Sequence, residues 1–234
     1  MFNGKMKAIT FSFDDGVTQD IRLIEIMNKY GLKGTFNLNS DRFGRQGNFY
    51  VANNGVTVYR NIIEKELVPE IYRGHEVAVH TLTHPLLPSL DEAEIIRQVE
   101  QDRLNLSELL GYEVVGMAYP GGGVNNDDRV AEIIKNNTGV KYSRTTTSTG
   151  KFDPQDYLLR FNPTTSYGNF DRVRELADEF FALETDTPKI FYIWGHSYEM
   201  DEANKWDKLD ELFGYLAGHD DVFYGTNKEV LLCK

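Results

Sequence analysis

Short apolar runs alternate with longer stretches in which apolar positions recur every three or four residues, and the alternation persists along nearly the whole chain. Residues 8–13 form the first run, with five of six positions apolar or β-branched, as a buried strand requires. Thr18 is placed as an N-cap, and Ile21, Ile24, Met27 and Tyr30 keep helical spacing until Gly31 closes the element. Further strands are predicted at 34–39, 75–80, 114–119, 140–143, 157–161, 189–194 and 222–224. Helices are predicted over 59–72, from a capping box at Ser89-Leu90-Asp91-Glu92 to Gly111, through 130–134, and over 170–183 and 205–216. Residues 40–55 are polar, glycine-dotted and aperiodic, an insertion of a length that favours a binding loop or lid. Strands alternating with helices predict a mostly parallel α/β sheet, open or closed into a barrel, in one domain spanning 1–234.

Composition narrows the partners. A hydrophobic share of 41% and 12% aromatic residues supply a core. The net charge of −11 repels phosphate backbones and anionic lipid, so nucleic acid and membrane surfaces are poor partners, and a neutral or cationic substrate is expected. One cysteine, Cys233, leaves no disulfide framework and no thiolate metal cluster. No apolar run approaches the roughly 18 residues of a membrane span. The polar N-terminus leads straight into the first strand without a visible signal peptide, so the expected location is the cytoplasm, or outside it if a leader has been removed.

Chemistry-bearing residues cluster where strands end, the arrangement that barrel enzymes use. Asp14 and Asp15 close the first strand and are followed by Gly16, which tolerates the bend that two neighbouring carboxylates need to serve one site. An Asp-Gly turn between two elements would read the same in isolation. His80 and His84 follow the third strand. Four apart, they face one way if the chain turns helically, and with a carboxylate they make the three-ligand set of a catalytic metal centre. The alternative is a pair of surface or capping histidines. His196 ends the strand at 189–194 between Trp194 and Tyr198, as a core histidine or as a general acid oriented by Glu199. Trp194 and Tyr198 could stack on a sugar ring or simply pack. His75 and His219 lack such context and are taken as structural or surface residues.

Taken together, Thr10-Phe11-Ser12-Phe13-Asp14-Asp15-Gly16, His80-Thr81-Leu82-Thr83-His84, Ala118-Tyr119-Pro120-Gly121-Gly122 and Trp194-Gly195-His196 resemble, in content and order, the motifs of the NodB-type polysaccharide deacetylases, carbohydrate esterase family 4. The resemblance runs from Ala8 to Glu199 and implies a distorted (β/α) barrel of about seven strands. It also implies one divalent metal ion, zinc being the first expectation, held by Asp15, His80 and His84. Asp14 would be the general base, His196 the general acid, and the Gly121 N–H an oxyanion donor. Tyr119, Arg144 and Trp194 complete the candidate substrate or oxyanion contacts.

Three departures accompany the resemblance. Val17 stands where a proline commonly follows Asp-Asp-Gly, and no Asp-x-x-Asp-Trp motif is present to pair with the acid. The third-motif arginine that often orients the base is missing near Met117 and Ala118, and Arg144, at the end of the next strand, is a candidate replacement by position. The implied activity is metal-dependent hydrolysis of the N-acetyl amide of an amino sugar or oligosaccharide. The alternatives are hydrolysis of a small non-sugar or cyclic amide on the same fold, or an inactive carbohydrate-binding relative. A haloacid-dehalogenase-type phosphatase is excluded because Phe13 occupies its nucleophile position.

Overall fold

The computed structural model describes residues 1–233. In chain order its strands are β1 (Lys7–Asp14), β2 (Gly34–Leu38), β3 (Phe49–Val51), β4 (Thr57–Tyr59), β5 (Glu76–Val79), β6 (Gly116–Ala118), β7 (Tyr142–Arg144), β8 (Thr165–Ser166), β9 (Lys189–Gly195) and β10 (Val222–Tyr224). The main sheet runs β7-β6-β5-β2-β1-β9-β8, with β10 alongside β1, and every pairing in it is parallel. β1 carries two neighbours on one edge: Lys7–Ile9 pair with Val222–Tyr224 of β10, and Phe11–Asp14 with Gly34–Asn37 of β2. The path curls until its ends approach. Arg144 bridges to Phe161, and the Thr164 N–H donates to the Tyr192 carbonyl at 2.9 Å, so residues 161–164 tie β7 to β9. The result is the expected distorted (β/α) barrel of seven strands in sequence, with β10 as an eighth beside the first half of β1.

Alternation along β1 separates two environments. Ile9, Phe11 and Phe13 face outward into the main apolar core beneath the helices Asp20–Lys29, Phe170–Phe181 and Trp206–Leu216. Thr10, Ser12 and Asp14 carry hydrogen bonds inside the barrel: Thr10 to Asn227 at 2.8 Å, and Ser12 and Asp14 each to the Asn37 amide at 2.8 Å. A parallel strand buried on both faces is thus apolar on one and polar but paired on the other.

Several local expectations give way to tertiary contacts. Residues 59–72 do not form one helix: a 3-10 turn at Lys65–Leu67 leads into a short helix at Val68–Ile71, with Pro69 in its first turn, where the missing N–H costs nothing. Upstream, the chain is extended because it pairs with the exit of β1, Thr18 N–H to the Asn61 carbonyl at 2.8 Å and Ile63 N–H to the Gly16 carbonyl at 3.0 Å. The first helix begins at Asp20 without a side-chain cap from Thr18, and Ile21 is exposed while Leu23 takes its place in the core. The capping box at Ser89 is replaced by Asp91, which accepts the Glu94 N–H at 2.9 Å. The helix it opens is interrupted by a π turn at Arg97–Gln101 and ends at left-handed Gly111 as expected. The strand expected at 157–161 is a 3-10 turn, Leu158–Arg160, that leaves only Phe161 bridging to β7. Residues 40–55 hold a 3-10 turn at Ser40–Arg42 and strand β3, whose antiparallel partner β4 lies just beyond the segment. No helix among the described residues is long and apolar enough to cross a membrane.

Phe36 is fully buried on β2, with ring centroids 5.5 Å from Phe13 and 4.9 Å from Tyr72. Phe36→Ala should destabilise the fold by about 3–5 kcal/mol through lost burial and a residual cavity, read as a lower denaturant midpoint at unchanged slope.

Candidate metal centre and active site

β1 ends at Asp14, and the next two residues both take left-handed backbone, Asp15 at φ 82° and Gly16 at φ 65°. The bend therefore begins at Asp15 itself, one residue before the glycine. It carries the Asp15 carboxylate round to the same side as Asp14. Asp14 is buried, with one oxygen accepting from the Asn37 amide at 2.8 Å and the other paired to the Arg144 guanidinium. Burial alone would raise its pKa, but the charges of Arg144, His80 and His196 outweigh burial and hold it at about 2.

Asp15 is different. Its Oδ1 is buried and has no hydrogen-bond partner among the described residues. It faces His84 Nε2 at 3.5 Å, His80 Nε2 at 3.9 Å and Arg42 Nη1 at 3.7 Å. His80 leaves β5 with Nδ1 2.9 Å from the Ala118 carbonyl. A carbonyl only accepts, so Nδ1 carries the proton and the Nε2 lone pair points toward Asp15. Burial lowers the His80 pKa to about 4, leaving a neutral imidazole at pH 7. The helical turn expected between His80 and His84 is absent. Thr81 and His84 instead take positive φ, 68° and 69°, and the Thr81 hydroxyl accepts the His84 N–H at 3.1 Å. Pro85 explains part of this, since a residue before proline is steered away from right-handed helix. Ligand atoms of Asp15, His80 and His84 lie within 4.8 Å of one another. Two imidazole nitrogens around an unpartnered buried carboxylate oxygen are a donor set that fits a transition-metal dication.

His196 lies across from this trio, Nε2 4.0 Å from Asp14 Oδ2 and Nδ1 2.9 Å from Glu199 Oε1. Burial works against its protonation, but the Glu199 hydrogen bond and the charges of Asp14 and Asp15 prevail and raise its pKa to about 9. The Tyr198 ring stacks on it at 4.9 Å. Arg144, the replacement expected by position, is fully buried, bonds to Asp14 and Ser12, and lies 4.4 Å from the centre of the Trp194 ring. Trp194 leaves its buried Nε1 without a partner among the described residues.

Tyr119 is withdrawn from the cleft. Its ring is fully buried, its hydroxyl donates to the Leu159 carbonyl at 2.8 Å and its N–H to the Arg144 carbonyl at 3.0 Å, so neither group is left for substrate. Gly121 takes φ 79°, and its N–H makes no hydrogen bond among the described residues. His75 is structural: Nδ1 accepts the Gly34 N–H at 3.1 Å, and burial lowers its pKa to about 4. His219 stacks on Phe181 at 3.6 Å.

A family model described as polysaccharide deacetylase matches residues 3–143. The chain belongs to the polysaccharide deacetylase family. Among curated relatives, the peptidoglycan-N-acetylmuramic acid deacetylase PdaC of Bacillus subtilis is 26% identical over 125 residues, 53% of this chain and 23% of that protein. The peptidoglycan-N-acetylglucosamine deacetylase PgdA of Listeria monocytogenes is 25% identical over 130 residues, 55% of this chain and 24% of that one. The match thus spans about a quarter of the length of these relatives. A family 4 acetyl xylan esterase from Clostridium thermocellum, solved with a cobalt ion, shares the fold at a TM-score of 0.59 and 15% identity, over 97% of this chain and 91% of that one.

Sequence reading passed over two buried carboxylates beside the site. Asp20 receives the Ser197 hydroxyl at 2.5 Å and the Tyr72 hydroxyl at 2.8 Å; Asp102 receives the N–H of Ser40 at 2.7 Å and of His80 at 3.3 Å. Both sit at helix positions where an acidic residue usually means a solvated face. Asn37, whose amide holds Asp14, was hidden inside a strand pattern.

Burial raises the Asp20 pKa to about 7 against its two hydroxyl donors. A folded-state pKa above the unfolded value of 3.8 makes Asp20 stabilising at low pH, with that contribution lost as pH rises from about 4 through 7. Asp20→Asn should flatten this part of the stability–pH curve. Denaturant midpoints collected between pH 4 and pH 8 measure it, and parallel curves for the two proteins would contradict the assignment.

Proposed function

We propose that this domain hydrolyses the N-acetyl amide of an amino sugar or its oligomer. In this reading Asp15, His80 and His84 hold one divalent ion, Asp14 is the general base and His196 the general acid. The observation that carries it is the orphaned, buried Asp15 Oδ1 facing the Nε2 atoms of His80 and His84, with an oppositely tuned acid–base pair alongside. A zinc-like ion bound there would polarise an amide carbonyl and lower the pKa of a bound water.

The remaining steps belong to the chain. Asp14, ionised down to about pH 2, is held by Asn37 and Arg144 with its charge available to accept a proton from the attacking water. His196, protonated up to about pH 9, offers its proton to the departing amine, which is a poor leaving group without it. Environments that push two titratable groups in opposite directions assign acid and base roles. The unbonded Gly121 N–H is the candidate oxyanion donor. Trp194 and Tyr198 supply flat apolar surface flanking the acid. The curated relatives are named for acting on peptidoglycan amino sugars, so N-acetylated glycan oligomers are the first substrates to assay, with small cyclic amides as the competing class.

Asp15→Ala and His80→Ala should abolish zinc binding and acetate release together. Asp14→Asn should keep the ion but lose at least about 100-fold in kcat. Metal titration in parallel with an acetate assay reads both, and activity surviving either of the first two changes overturns the metal assignment. The basic limb of the kcat/KM profile should fall above about pH 9 as His196 loses its proton. Glu199→Gln removes the hydrogen bond that raises that pKa, and the limb should move to lower pH.

A further inference from the structure

The turn that carries both histidines is held in a backbone conformation it would not choose. Thr81 and His84 are non-glycine residues at positive φ, an arrangement that is unfavourable at each and persists only where the surroundings over-determine it. Accounting for the turn's backbone polar groups shows what does so. The carbonyls of His80 and Thr81 both accept from the Asn39 amide, and the His84 N–H goes to the Thr81 hydroxyl. The His80 N–H is shared between the Leu38 carbonyl at 2.9 Å and the Asp102 carboxylate at 3.3 Å. The N–H groups of Leu82 and Thr83 both go to one residue, Gln98: Leu82 to its main-chain carbonyl at 3.0 Å and Thr83 to its side-chain Oε1 at 3.1 Å.

That double contact depends on an irregularity in the helix. Inside a regular α-helix a carbonyl is taken by the amide four residues on. Gln98 lies in the π turn Arg97–Gln101, where the widened winding presents its carbonyl to a partner outside the helix. Its side chain is fixed in turn, Nε2 donating to the Thr83 hydroxyl at 3.0 Å and to Glu94 at 2.9 Å. Gln98 is buried, and its side-chain hydrogen bonds go to Thr83 and Glu94 rather than to the candidate ligand atoms, so its effect on them runs through the backbone.

We propose that Gln98, displayed by this π turn, is a positioning residue that clamps the His80–His84 turn in its strained, metal-competent form through main chain and side chain at once. The proposal rests on the metal reading above and extends it to how the ligands are oriented before the ion arrives.

The test is competitive zinc titration of the full chain and its variants, with amide hydrogen exchange on the metal-free protein. Gln98→Leu, which loses the side-chain acceptor, should weaken zinc binding by about 10- to 100-fold, the usual cost of removing an outer-shell partner. Gln98→Glu combined with Glu94→Gln keeps an acceptor for the Thr83 N–H and a donor–acceptor pair with residue 94, and should bind closer to wild type. A folded Q98L that binds zinc as tightly as wild type overturns the proposal. If wild type binds no zinc, the metal reading fails, and the clamp is judged on exchange alone. The Leu82 and Thr83 amides should be protected in the metal-free wild type, whether or not any variant folds, and exchange at the rate of open chain would overturn it.

Discussion

Neighbouring side chains on a strand point to opposite faces, and the site exists because the chain breaks that rule at Asp15. Asp14 completes β1 and turns into the barrel; Asp15, in left-handed backbone, is swung round to join it. Everything else at the barrel mouth is referred to these two carboxylates. β5 and its following turn bring His80 and His84 to Asp15, β7 brings Arg144 to Asp14, and β9 brings His196 to within 4.0 Å of Asp14. Parallel strands make this convergence possible, since all their carboxyl ends open at the same rim.

The two carboxylates are buried alike and compensated differently. Asp14 has a guanidinium and an amide, so its charge is fixed within the protein. Asp15 has an oxygen with no hydrogen-bond donor, although Arg42 stands 3.7 Å away and the Nε2 atoms of His80 and His84 lie 3.9 and 3.5 Å from it. An uncompensated buried charge is costly, and a cation between those ligands removes the cost. The same asymmetry divides the labour proposed for them, one carboxylate free to move a proton and the other to hold an ion.

The insertion after β2 is tied down rather than a free lid. Its β3–β4 hairpin is tied to the helix that follows His196: the Tyr50 hydroxyl and the Asn54 amide both donate to Glu202, at 2.8 and 2.7 Å. Arg60, just past β4, lies 5.3 Å from the Tyr50 ring centre and 5.4 Å from that of Tyr198, which itself stacks on His196. The general-acid candidate is thereby backed by a ladder of rings and a guanidinium that reaches out to the hairpin.

Periodicity was sufficient for a mostly parallel α/β sheet, because buried parallel strands are near-continuous apolar runs and their helices carry an apolar stripe, and both signatures are local. Its closure into a barrel of about seven strands followed only from the family resemblance. The same locality made Asp14, Asp15, His80, His84 and His196 conspicuous as polar residues at the ends of apolar runs. Where tertiary pairing competed with local preference, sequence reading failed: residues 60–63 became extended because the exit of β1 offered them partners, and 157–161 kept only one strand bridge. The site's supporting residues were illegible for a related reason. Asn37 looks like any polar residue in a strand, Asp20 and Asp102 look like solvated helix positions, and nothing in the sequence marks Gln98 as sitting in a π turn. Arg144 could be placed only by position until the fold brought it onto Asp14, and Tyr119 could be excluded only when its hydroxyl and amide were seen to be spent elsewhere. Which residue types could do the chemistry was written along the chain. Which of them meet, and in what charge state, depended on burial and on contacts between segments far apart in sequence, and those arise only when the barrel closes.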